Sequence, residues 1–167
     1  PQGVAVKGEL SDDRTTYTIT EPLGYGATYT WRGTAVGSDN LPVKVRGRFT
    51  TLTPDAQPNV VINVADGQEV GIAASLILKF DSTIDDKAAV EKVLKVTTTP
   101  ETEGSWAWLG EDDGWRVHWR PREYWKPGTK IHLDAKLYGL RMGEGVYGAA
   151  DMNKKKTCLN QFSDKAV

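Results

Sequence analysis

The chain has 167 residues, 39% hydrophobic and 26% charged, with a formal net charge of −1. That balance is ordinary for a folded, water-facing protein and excludes a whole-chain field that would gather nucleic acid or an anionic membrane. No apolar run approaches the ~20 residues of a membrane-spanning helix, and no secretion leader opens the chain, as none would open a mature exported one.

The single cysteine, Cys158, excludes an internal disulfide. It fits both a reducing compartment and an envelope protein that avoids thiols. Residues 1–58 carry six basic and six acidic groups, residues 59–152 eleven and fifteen, and residues 153–167 four and one. Only the tail is basic, and tails of that kind are usually solvated.

Residues 4–52 hold four β-like runs: Val4–Gly8, Thr15–Thr20, Ala27–Val36 and Val43–Phe49. The third places Ala27, Tyr29, Trp31, Gly33 and Ala35 on one face, and the fourth alternates apolar with basic side chains. Turn chemistry separates them, and the reading is antiparallel β with one wet face. A sandwich of immunoglobulin type needs about seven strands. This first module, 1–58, is therefore expected to be partial: it starts upstream of Pro1 or other residues complete it. Thr53–Asn59, with Pro54 and Pro58, reads as an extended linker.

The second module is expected over 59–152. Ala74, Leu76, Leu78 and Phe80 alternate as a strand. The one helix expected runs from Asp85 to Leu94, capped by Asp85 or Asp86, with Ala89, Val90, Val93 and Leu94 as its apolar stripe. Strand character returns at Lys95–Thr99. Trp106–Trp108 and Trp115–Trp119 flank Glu111-Asp112-Asp113-Gly114, a hairpin signal. On the second of these runs Trp115, Val117 and Trp119 share one face, and Arg116, His118 and Arg120 the other. Lys126-Pro127-Gly128-Thr129 suits a type II turn, and Ile131, Leu133, Ala135 and Leu137 alternate after it. Gly139, Gly143, Gly145 and Gly148 are expected at positive φ in a loop that touches a neighbouring domain or only turns the chain. Residues 153–167, with Lys154-Lys155-Lys156, are expected as a basic tail that is disordered or adds a strand elsewhere.

Several residues invite a sharper chemistry. Cys158 has no base beside it, so an activated thiolate is not expected. His118 and His132 fall on strand faces opposite the apolar set and read as surface histidines, not metal ligands. Glu111-Asp112-Asp113 reads as a solvated tip and not a calcium loop. No cofactor is expected. Five of the six tryptophans lie between 106 and 125. Trp106, Trp108, Trp115 and Trp119 are expected as core anchors, since each buries a large area. Tyr124, Trp125 and Tyr147 are expected at a surface, as an inter-domain contact or an aromatic patch for glycan.

Many of these residues carry a family resemblance. Trp119-Arg120-Pro121, Tyr124-Trp125-Lys126-Pro127-Gly128-Thr129, Tyr138-Gly139-Leu140 and Gly143-Glu144-Gly145-Val146-Tyr147-Gly148 resemble the immunoglobulin-like module that precedes the catalytic domain of mycobacterial and actinobacterial L,D-transpeptidases. So do Phe80-Asp81, Ala88-Ala89-Val90-Glu91-Lys92 and Val96-Thr97-Thr98-Thr99-Pro100. Gly8-Glu9-Leu10-Ser11 and Glu21-Pro22-Leu23-Gly24-Tyr25 resemble the latter part of the family's first such module. The resemblance runs from Gly8 to Met152, and the strand that should lead into the catalytic domain is not recognised beyond it.

The resemblance implies an all-β fold of two tandem immunoglobulin-like sandwiches with one short helix. It implies a parent enzyme whose cysteine attacks a peptidoglycan stem at an L,D bond, forms 3→3 cross-links and is trapped by carbapenems. The catalytic His-Gly and Ser-His-Gly-Cys motifs are absent from this sequence. The chain is therefore expected to be a non-catalytic stalk, not itself an enzyme. Its expected partners are the catalytic domain of the same polypeptide and peptidoglycan, with no nucleic acid and no membrane contact by this fragment. Its expected place is the extracytoplasmic envelope, anchored through a segment outside this sequence.

Overall fold

The structure is a computed structural model that describes residue 3, residues 5–109 and residues 115–158. The chain forms two compact units, Pro1–Pro54 and Asp55–Val167.

The first unit contains two hairpins. β1 (Gly8–Leu10) pairs antiparallel with β2 (Tyr17–Ile19). In the turn between them Asp13 accepts hydrogen bonds from Ser11 Oγ (2.6 Å), Thr15 N (3.1 Å) and Thr15 Oγ1 (2.9 Å). These donors, the Ser11 hydroxyl first, hold its carboxyl below the usual aspartate value. β3 (Thr28–Val36) pairs antiparallel with β4 (Pro42–Thr50) along its whole length. Pro42 opens β4, a position that tolerates a residue with no N–H to donate. The Val4–Gly8 run gives a strand only from Gly8. Among the described residues of this unit none is buried.

The second unit is a β-sandwich. One sheet has the order β5-β7-β10-β9, all antiparallel: β5 (Val60–Ile62), β7 (Leu76–Phe80), β10 (Arg116–Pro121) and β9 (Gly104–Trp108). The other has the order β6-β14-β11-β8: β6 (Glu69–Val70), β14 (Met152–Cys158), β11 (Lys130–Ala135) and β8 (Leu94–Thr99). Between the sheets Leu78, Phe80 and Val117 pack with Leu94, Leu133 and Ala135, joined by Ile84, Val90, Leu137 and Met142. A second cluster of Leu76, Trp119, Trp125, Ile131, Val64 and Val70 continues the core. The two-stranded hairpin β12 (Arg141–Gly143) and β13 (Val146–Tyr147) completes the strands.

α1 (Lys87–Val93) starts where the sequence places it. Asp86 is the N-cap, its carboxylate accepting from Ala89 N at 2.9 Å, and Val90 is its buried residue. The expected turn at Lys126–Thr129 closes by Thr129 N–H donating to Lys126 O at 3.1 Å, with Gly128 at φ 79°.

Two expectations need correcting, and one open alternative is decided. The units divide at Pro54/Asp55 instead of Pro58. Asp55 N and Ala56 N both donate to Gly145 O, and Ala56 bridges Val146, which stitches the linker's second half into the second unit. Of the two alternatives for the basic tail, the structure shows the added strand over 153–158: β14 pairs antiparallel with β11 over Met152–Thr157 and parallel with β6 through Thr157 and Cys158. Of the four loop glycines only Gly139 and Gly145 take positive φ. Gly148 instead lies so close to the Leu137 carbonyl that a Cβ there would collide with it.

Candidate functional site

The tryptophan-rich stretch is the natural place to look for chemistry, and the structure uses most of it for packing. Trp119 on β10 stacks on Trp125 with ring centroids 5.1 Å apart and planes 21° apart. Stacked pairs of this kind add to area burial. Trp125 is anchored twice, its indole N–H donating to Ala74 O at 2.7 Å and its backbone N–H to Ile72 O at 2.9 Å. Trp106, opposite Trp119 on β9, donates from its indole to Leu94 O at 3.2 Å and so links the two sheets. Trp108 stacks on Phe80 at 5.8 Å, with the Lys87 ammonium 5.5 Å from its ring centroid. Gly104 is required here, because a Cβ would fall within 2.4 Å of the Trp119 ring.

Not every anchor is where the sequence puts it. Trp125, expected at a surface, is only 2% exposed. It lies after β10, where the chain folds back under Ile72 and Ala74, and the indole fills the end of the sandwich. Trp115, expected in the core, is 41% exposed. It lies one residue before β10, and its N–H donates to Thr83 Oγ1 at 2.8 Å. His118, expected on the surface, is buried on the interior strand β10, between Ile77 of β7 and Ala107 of β9. His132 is partly buried, and its Nε2 lies 2.9 Å from Asn153 Oδ1.

The expected aromatic patch is therefore split. Tyr124 is exposed, Trp125 is core, and Tyr147 is half-buried in β13 with its N–H donating to Ala56 O at 3.1 Å. Tyr124 does line a shallow groove of about 570 Å³ with Ile72, Ala74, Arg120, Arg122 and Glu123. Arg122 pairs with Glu103 at 3.1 Å at high exposure, where an ion pair contributes little. Of the groove residues, Arg120 is read from sequence only as a strand position and as part of Trp119-Arg120-Pro121, and the one signal for Arg122 is its spacing of two from Arg120 across Pro121.

The second polar cluster surrounds Asp151. Its carboxylate accepts from Tyr138 N (2.9 Å) and Lys136 Nζ (3.3 Å). The Tyr138 N–H first, and then Lys136, hold its carboxyl below the usual value, while Asp151 raises the Lys136 ammonium.

The backbone of Cys158 ends β14 opposite Val70. The Glu111–Gly114 tip lies outside the described residues. Among the described residues no three His, Cys, Asp or Glu side chains converge as a metal site would require, and no helix is long and apolar enough to cross a membrane.

A family model described as "Bacterial Ig domain" matches residues 1–141. The chain belongs to that family. The chain is 59% identical over 152 residues to L,D-transpeptidase 5 of Mycobacterium tuberculosis, covering 90% of this chain and 34% of that protein. It is 36% identical over 146 residues to L,D-transpeptidase 2 of the same species, covering 87% of this chain and 35% of that protein. A solved structure of the LD transpeptidase LdtMt1 in complex with imipenem aligns at a TM-score of 0.47 and 23% identity, over 62% of this chain and 41% of that one. The chain spans about a third of the length of the curated relatives it matches.

Proposed function

We propose that this chain is the non-catalytic spacer of a cell-wall L,D-transpeptidase, holding a separate catalytic domain within reach of peptidoglycan stems for 3→3 cross-linking in the extracytoplasmic envelope. The observation that carries the reading is the 59% identity that covers nearly all of this chain but a third of the relative. The packing supports it. The aromatic side chains best suited to ligands, Trp119 and Trp125 above all, hold the second sandwich together, and a spacer requires stiffness and no side-chain chemistry.

The test is replacement within the parent enzyme. Exchanging this region for unrelated immunoglobulin-like modules of equal number is expected to leave the 3→3 cross-link content of isolated peptidoglycan close to normal. Loss of cross-links from a well-folded chimera would show that this surface is recognised, and the spacer reading would fail.

One observation favours a second reading, a peptidoglycan-binding module: the groove with exposed Tyr124 beside Arg120 and Arg122. Titrating muropeptides against the chain separates the two. Chemical-shift changes confined to 120–124 would support binding, and none at millimolar ligand would remove it.

A further inference from the structure

The hairpin of β3 and β4 is amphipathic in a way that the net charge conceals. Its register sets Thr30 opposite Arg48, Arg32 opposite Arg46 and Thr34 opposite Lys44 on one face. The other face sets Tyr29 opposite Phe49, Trp31 opposite Gly47 and Ala35 opposite Val43. The Tyr29 and Phe49 rings stack at 5.5 Å, and the Trp31 indole lies over Gly47 where a Cβ would sit 2.6 Å away. Both faces meet solvent, since Trp31, Val43 and Phe49 are each more than 40% exposed, and one of the two faces is basic. Arg32, Lys44, Arg46 and Arg48 are all exposed. None of them forms an ion pair among the described residues. Asp39, in the connecting turn, is the one carboxylate between Thr28 and Thr50.

Such a face destabilises the hairpin. Cations directly opposite one another repel, and Arg32 and Arg46 are cross-strand neighbours. A solubilising surface would intersperse both signs. The spacing is regular: residues two apart on a strand lie about 7 Å from one another, and cross-strand neighbours about 5 Å. Four cations thus form an array about 13 Å long, flanked by threonine hydroxyls.

We propose that this basic face lies on the headgroups of an anionic lipid bilayer. A row of cations on one face of a two-stranded ribbon complements an extended anionic surface, and each arginine can donate a bidentate pair to a phosphate. The attraction is electrostatic and needs no inserted side chain. The proposal does not rest on the spacer reading, since a binding module could use the same face.

The test is cosedimentation of the full chain with phosphatidylcholine vesicles, with and without phosphatidylglycerol. Partitioning is expected only with phosphatidylglycerol, falling as added salt shortens the Debye length from ~10 Å at 0.1 M to ~3 Å at 1 M. Each lost charge is expected to cost about fivefold in partitioning, so Arg46→Gln/Arg48→Gln loses about 25-fold. Arg32→Gln/Lys44→Gln is expected to lose as much from the other end of the array. Arg46→Lys/Arg48→Lys keeps most binding, and Lys92→Gln/Lys95→Gln, in the second unit, leaves it unchanged. Failure to partition at low salt would overturn the proposal, as would an equal loss from the Lys92/Lys95 variant. Retention on heparin without vesicle binding would also overturn it, assigning the face to a soluble polyanion.

Discussion

Trp125 and Tyr124 are adjacent, aromatic and opposite in consequence. Trp125 has its ring against Trp119 and its N–H on the Ala74 carbonyl, so Trp125→Ala removes a stack, a hydrogen bond and the filling of one end of the core. The expected loss is about 3–5 kcal/mol in urea denaturation. Tyr124→Ala, at 73% exposure, is expected to stay within about 0.5 kcal/mol of the parent. The sequence could not separate the two, because Tyr124 and Trp125 lie beyond the last alternating position of β10, where period-two patterning has ended. Trp115 shows the same limit from the other side: it extends the alternation of Val117 and Trp119 but lies just outside the strand that gives alternation its meaning.

Strands were legible where their core-facing positions are apolar, as at Leu76, Leu78 and Phe80 or Ile131, Leu133 and Ala135. β14 was not. Its residues opposite Ala135, Leu133 and Ile131 are Met152, Lys154 and Lys156, so two lysines occupy positions that pattern reading reserves for hydrophobes. Lysine stems can cover apolar surface while the ammonium group seeks polar company, and Lys156 is 3% exposed. The start of this strand is fixed by Asp151, which ties Tyr138 and Lys136, just past the end of β11, to it. Asp151 has a depressed folded-state value, so its contribution is present above the unfolded value near 3.9 and is lost as pH falls through the folded one. Lys136 is raised, so its share is lost only as pH rises beyond the ordinary lysine range near 10.4. Asp151→Asn is therefore expected to be less stable than the parent between about pH 5 and 9, with the gap closing below about pH 4. Paired denaturation curves across that range check it, and a gap that persists at low pH would assign the effect to packing.

At the scale of the molecule the two units differ in kind. The second has a closed sandwich with two continuous apolar clusters. The first has two hairpins and no buried residue among those described, with Trp31, Val43 and Phe49 each more than 40% exposed. Local stability follows buried apolar contact. Hydrogen exchange of this chain is expected to show β3 and β4 amides exchanging well before those of β7, β10 and β11. Equal protection would mean that the first unit finds a second layer in solution.

The position of β14 has a mechanical consequence. It lies inside its sheet, between β11 and β6, and not at an edge. A pull on the chain beyond Cys158 would meet the short β6 ladder at the strand's C-terminal end and the β11 ladder along the strand axis. Rows loaded in shear must yield together, whereas an edge strand unzips bond by bond. Resistance to forced unfolding is set by the unfolding rate, and an interior β14 is expected to slow that rate when the chain is pulled from its C-terminal side.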